Sequence, residues 1–99
     1  MSKRMKKFAI SEAYCVKCKC KGIPIPRIRG KYREPGHLKK LYCLNCQEET
    51  NHVEIRPFSS DYNYEDFLLE IQYDNFDENG DRKVPYRIFR GELKKKGII

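Results

Sequence analysis

Before Pro57, the apolar residues of the chain come in short runs of strand length. Phe8 to Tyr14 predicts a first strand, and Leu38 to Tyr42 and His52 to Ile55 predict two more. Gly22 to Gly36 reads as an extended insert, because Pro24, Pro26 and Pro35 forbid regular helix while Gly30 and Gly36 permit sharp turns. Pro57 to Ser60 reads as a hinge. Beyond it the period changes: Tyr64, Phe67, Leu68 and Ile71 stand at i, i+3, i+4 and i+7, which predicts an amphipathic helix. Asn63 is its expected N-cap, and Glu65 and Asp66 in the first turn suit the positive end of the helix dipole. The Asn79-Gly80 turn signal should end that unit before a closing strand over Val84 to Phe89, and Lys94 to Ile99 reads as an untethered tail. The expected fold class is α+β, in one domain spanning residues 1–99. A β-domain over 8–56 carries the insert 22–36, and a helix with a closing strand follows over 61–93.

Cysteine changes this picture. A chain of 99 residues with 39% apolar content and no Trp has little core to bury, so a staple is expected. Five cysteines supply it either as disulfides or as metal ligands, and compartment decides between the two. Residues 1–10 do not read as a secretion signal, and no apolar run approaches the roughly 20 residues that span a bilayer. The expectation is a reducing cytoplasm, no membrane partner, and thiolates that bind metal. Two C-x-x-C pairs, Cys15 with Cys18 and Cys43 with Cys46, are the strong signal. A turn of this length aims both sulfurs at one ion, and two such turns complete a tetrahedral zinc shell. One structural Zn²⁺ is therefore expected, with no open position for catalytic water. Cys20 stands outside the pattern, as a spare thiol or as a substitute for Cys15 or Cys18. His37 and His52 are near enough in sequence to be alternative ligands, although four thiolates already fill the shell.

This arrangement resembles the zinc-ribbon superfamily over roughly Tyr14 to Ile55. The run Gly36-His37-Leu38-Lys39-Lys40-Leu41-Tyr42-Cys43-Leu44-Asn45-Cys46, continued by Thr50-Asn51-His52-Val53-Glu54, also resembles small zinc-ribbon proteins of phages that infect Gram-positive bacteria. The resemblance implies a regulator that binds nucleic acid or nucleoprotein machinery of transcription or translation, without catalysis and without a small-molecule substrate.

Charge is unevenly divided. Asp61 to Asp81 holds eight carboxylates and no Lys or Arg, so it carries −8 while the remaining 78 residues carry +15 within a net +7. In the insert, Arg27, Arg29, Lys31 and Arg33 alternate with other residues. An extended chain would set all four on one side about 6.6–7 Å apart, as a comb for phosphates. Lys39 and Lys40 would widen that surface and Tyr32 would stack on bases. The acidic helix cannot share it. Its apolar stripe should pack as core, while its acidic face is either solvated or a docking face for a host protein, the latter giving an adaptor or inhibitor as the alternative function.

Other chemistries find no frame here. Asn75, Asp77, Asn79 and Gly80 match the start of a calcium loop, but its twelfth position is Tyr86 rather than Glu. His37, Asn45 and His52 supply the letters of a His-Asn-His nuclease without its spacing.

Overall fold

The structure, a computed structural model, describes residues 8–28, 34, 36–56 and 61–99. Four strands, β1 (Phe8–Cys15), β2 (Ile25–Ile28), β3 (Leu38–Cys43) and β4 (Glu48–Ile55), precede two helices, α1 (Tyr64–Gln72) and α2 (Tyr86–Lys95). The strands form one curled antiparallel sheet in the order β2-β1-β4-β3. Because β1 and β3 flank β4 and both run against it, they run parallel to each other and end at the same edge of the sheet. The expected strands near Phe8, Leu38 and His52 are all present. The insert contributes a fourth, in which Ile25 to Ile28 pair with Ser11 to Phe8. Pro26 is tolerated because β2 lies at the sheet edge.

Side chains alternate across the sheet. One face sends Val16, Val53 and Ile55 into a core completed by Tyr62, Phe67, Phe76, Tyr86, Phe89 and Leu93, with Tyr14 and Leu38 packed against it. The other face buries Ser11, Ala13, Ile25, His52 and Glu54. The chain after the first cysteine pair folds over that second face, where Gly22 lies so near His52 that a Cβ would stand 2.9 Å from its Cδ2.

Helix α1 begins as the sequence predicts. Asn63 caps it through a reciprocal box, its Oδ1 accepting from the Asp66 N–H at 3.1 Å while Asp66 Oδ2 accepts from the Asn63 N–H at 2.8 Å. The buried side differs from the expected stripe: Tyr64 and Leu68 are exposed, and the fully buried residues are Phe67 and Glu70. A carboxylate can be buried when it is paired and hydrogen-bonded. Glu70 accepts from Arg82 Nε and Nη2 at 2.7 and 2.9 Å, from Tyr62 Oη at 2.5 Å and from Asn75 Nδ2 at 2.6 Å.

The expected closing strand is instead helix α2, and the tail is tethered rather than loose. Tyr86, Phe89 and Leu93 fall at i, i+3 and i+7 and are its buried face. Pro85 precedes the first turn, where its missing N–H loses nothing. At the other end the Ile98 N–H reaches the Leu93 carbonyl at 2.9 Å and the Gly97 N–H reaches Lys94 at 3.0 Å, with Gly97 at φ 76. That is a Schellman close, which a left-handed glycine permits. No helix among the described residues is long and apolar enough to cross a membrane. The hinge at 57–60 lies outside the described residues.

Candidate metal centre and charged surfaces

The parallel course of β1 and β3 delivers the two cysteine pairs to one place. Each strand ends on the first cysteine of a pair, and each pair sits in a turn of the same construction. The Lys19 N–H donates to the Cys15 carbonyl at 2.8 Å, and the Gln47 N–H to the Cys43 carbonyl at 2.7 Å. The residue after the second cysteine is left-handed in both, with φ 65 at Lys19 and φ 57 at Gln47. The Cys46 N–H points to Cys43 Sγ at 3.4 Å, which favours a thiolate there.

The sulfurs of Cys15, Cys18, Cys43 and Cys46 all lie within 4.8 Å of one another. Cys15 and Cys46 are 3.9 Å apart and Cys18 and Cys43 are 3.5 Å apart. Four thiolates about 2.3 Å from one ion would stand about 3.8 Å apart, so the cluster fits a tetrahedral metal shell. All five cysteines are free thiols. Within the cluster the thiols differ in proton affinity. Burial resists ionisation of Cys18, but hydrogen bonds from the Cys20 backbone and the Asn45 side chain outweigh it and bring the thiol down to about 6. Burial and the neighbouring cysteines push Cys46 up to about 12. A dication in their midst would reverse that competition by favouring all four thiolates.

The alternative ligands lie outside this cluster. Cys20 is exposed. His52 is fully buried, its Nδ1 3.0 Å from the Thr50 carbonyl and its Nε2 without a hydrogen-bond partner. Neither it nor His37 joins the four sulfurs. Thr50 sequence reasoning missed: its Oγ1 stands 3.1 Å from Cys15 Sγ. The register would have found it, since Thr50 lies on the same face of β4 as His52, which pairs with Cys15.

The expected phosphate comb is corrected at its first tooth. Arg27 turns in rather than out, placing Nε and Nη2 at 2.9 and 2.8 Å from the two oxygens of Glu54. Its side chain is 18% exposed and that of Glu54 1%. Burial alone would raise the Glu54 carboxyl, yet the Arg27 fork holds it below the ordinary carboxylate value. Arg29, Lys31, Tyr32 and Arg33 lie outside the described residues. Lys39 and Lys40 are adjacent on β3 and so point to opposite faces of the sheet.

Several carboxylates of the acidic segment accept hydrogen bonds from within the chain, although only Glu70 is buried. Asp66 caps α1 and accepts from the Tyr86 hydroxyl, Glu70 holds Arg82, and Asp74 pairs with Lys83 at 2.8 Å. Asp77 accepts the N–H groups of Asn79 and Asp81 at 2.8 and 3.0 Å, and Asp81 accepts Asn51 Nδ2 at 3.0 Å. The incomplete calcium loop is thus a turn closed by its own backbone. Helix α2, read as a strand from sequence, adds a cationic face that the sequence analysis missed. Arg87, Arg90 and Lys94 are exposed on it and stand in no ion pair among the described residues.

Comparison of the chain with protein-family models, with curated proteins and with solved structures finds no match.

Proposed function

We propose that the protein is a non-catalytic zinc-ribbon binding module, in which one Zn²⁺ on Cys15, Cys18, Cys43 and Cys46 staples the fold, and that it engages nucleic acid or nucleoprotein machinery. The fit of four sulfurs to one ion supports the staple. Zinc suits an all-thiolate tetrahedral set, and a shell filled by protein leaves no position for substrate or activated water. The observation that carries the nucleic-acid reading is the disposition of charge. Asp66, Glu70, Asp74, Asp77 and Asp81 of the acidic segment accept hydrogen bonds from within the chain, while the four cations of α2, Arg87, Arg90, Lys94 and Lys95, stay outside any ion pair among the described residues. An exposed cationic excess of this kind attracts polyanions.

The rival reading is a phage-type adaptor that holds a host protein through α1 or the ribbon edge. Engagement of Asp66, Glu70 and Asp74 weakens its acidic-face argument. A salt titration of oligonucleotide binding by the zinc-loaded protein separates the two. The affinity is expected to fall steeply, with a slope of about −0.7 per single-strand phosphate contact or about −0.9 per duplex contact. Absence of oligonucleotide binding by the folded protein at low salt refutes the nucleic-acid reading.

A further inference from the structure

We infer that helix α2 is the phosphate-contacting surface and that its ligand is a single-stranded nucleic acid lying in the groove between α2 and the start of β3, an inference that rests on the nucleic-acid reading above. At about 100° per residue, Arg87, Arg90, Gly91 and Lys94 fall within one sector of about 100°. That sector lies to one side of the buried residues Tyr86, Phe89 and Leu93. All four line an open groove of 1410 Å³, which Leu38 and the carboxylates Glu34, Asp61 and Asp81 also line. Along the helix the three cations are separated by about 4.5 and 6 Å, and their long, flexible side chains can follow successive phosphates of a bendable strand.

Gly91 is the more informative residue. Glycine is the poorest helix former after proline, and a Cβ at this position meets nothing within 4 Å, so packing does not call for it. It leaves bare backbone in the middle of the cationic row, where a ligand can approach closely.

The occupant follows from charge, size and shape. Arg87, Arg90 and Lys94, which stand in no ion pair among the described residues, gather positive charge on the α2 side and attract an anion there, while Glu34, Asp61 and Asp81 keep it from the rest of the groove. The groove exceeds the roughly 300–1,000 Å³ of small-molecule sites and is open, which suits a polymer. A membrane surface does not fit, because the apolar face an interfacial helix would insert is buried here in the core. A flexible single strand can bend to follow the side chains of one short helix, and its unpaired bases are free to contact the rest of the groove. Glu34, Asp61 and Asp81, which line the groove outside α2, repel phosphate, but a carboxylate can accept from the exocyclic amino groups of bases. The strand therefore lies with its backbone on α2 and its bases toward the carboxylates that line the groove outside the helix.

The test uses the full zinc-loaded chain and fluorescence anisotropy with one labelled oligonucleotide, offered as DNA strand, RNA strand and duplex across a salt series. The combined Arg87→Ala, Arg90→Ala and Lys94→Ala variant should bind the strands at least about tenfold more weakly at low salt, with a slope flattened by up to about 2. Gly91→Leu changes no charge and improves helix propensity, so its unfolding midpoint should hold or rise while strand affinity falls. If the triple variant does not fold, Gly91→Leu decides. A parent that binds no oligonucleotide overturns the nucleic-acid reading itself. A parent that binds while every folded variant matches it at all salts overturns the α2 assignment alone. Tighter binding of the duplex, or equal binding of polyglutamate, overturns the single-strand assignment.

Discussion

Lys19 and Gln47 adopt left-handed backbone conformations at corresponding places, each directly after the second cysteine of its pair. For non-glycine residues that conformation costs about 1–2 kcal/mol, and it persists where surrounding structure compensates. Here each left-handed residue closes the turn that aims two sulfurs at the common centre. The thiols are thus brought together by local backbone geometry as well as by the strands. Replacing any one of Cys15, Cys18, Cys43 and Cys46 with Ser should reduce bound zinc below one per chain and lower the thermal midpoint, because metal binding and folding are coupled in small metal-stapled domains. Cys20→Ser should keep both parental values. Metal analysis with thermal unfolding followed by circular dichroism checks this; a folded Cys43→Ser protein with full zinc would contradict it. The C-x-x-C spacing made the clustering of the four cysteines readable from sequence, since both partners of each turn lie within one short segment. The inward turn of Arg27 was not readable, because Glu54 lies 27 residues away and only the sheet brings them together.

The Arg27–Glu54 pair links β2 to β4 across β1, on the face of the sheet turned away from the helices. A carboxyl whose folded pKa is depressed contributes stability that is present above its unfolded pKa and is lost as the pH falls through the folded value. Glu54 therefore predicts weakening of the fold as the pH drops below its ordinary 4.5. Glu54→Gln should be less stable at neutral pH by about 1–3 kcal/mol and should show a shallower acid limb in urea unfolding. Parallel acid limbs in the two proteins would contradict the assignment. The sequence showed β1, β3, β4 and the start of α1 because their signals are local. It missed β2 because three prolines mask an edge strand, whose free side needs no ladder donor. It misread α2 because Val84 to Phe89 has strand composition, while the helical period is completed only by Leu93 and the close only by Gly97. Glu70 defeated pattern reading for a different reason: its partners Tyr62, Asn75 and Arg82 come from outside its helix.

Across the whole molecule, one core joins the sheet to both helices, from Val16 and Val53 through Phe67 to Phe89 and Leu93. The cysteine cluster sits where two strands leave that core, so a metal bound there would hold together turns that packing alone leaves at the sheet end. Charge is partitioned in the same economical way: carboxylates of the acidic segment fasten loops and helices, and cations of α2 face outward. Composition showed the imbalance, but only the fold shows which charges are paired. Zinc-edge X-ray absorption of the purified, reduced protein tests most directly whether it holds a single zinc by sulfur alone. The predicted result is one zinc per chain with four sulfur neighbours at about 2.3 Å and no lighter ligand. A nitrogen or oxygen neighbour in the shell, or a folded protein that carries no zinc, would contradict it.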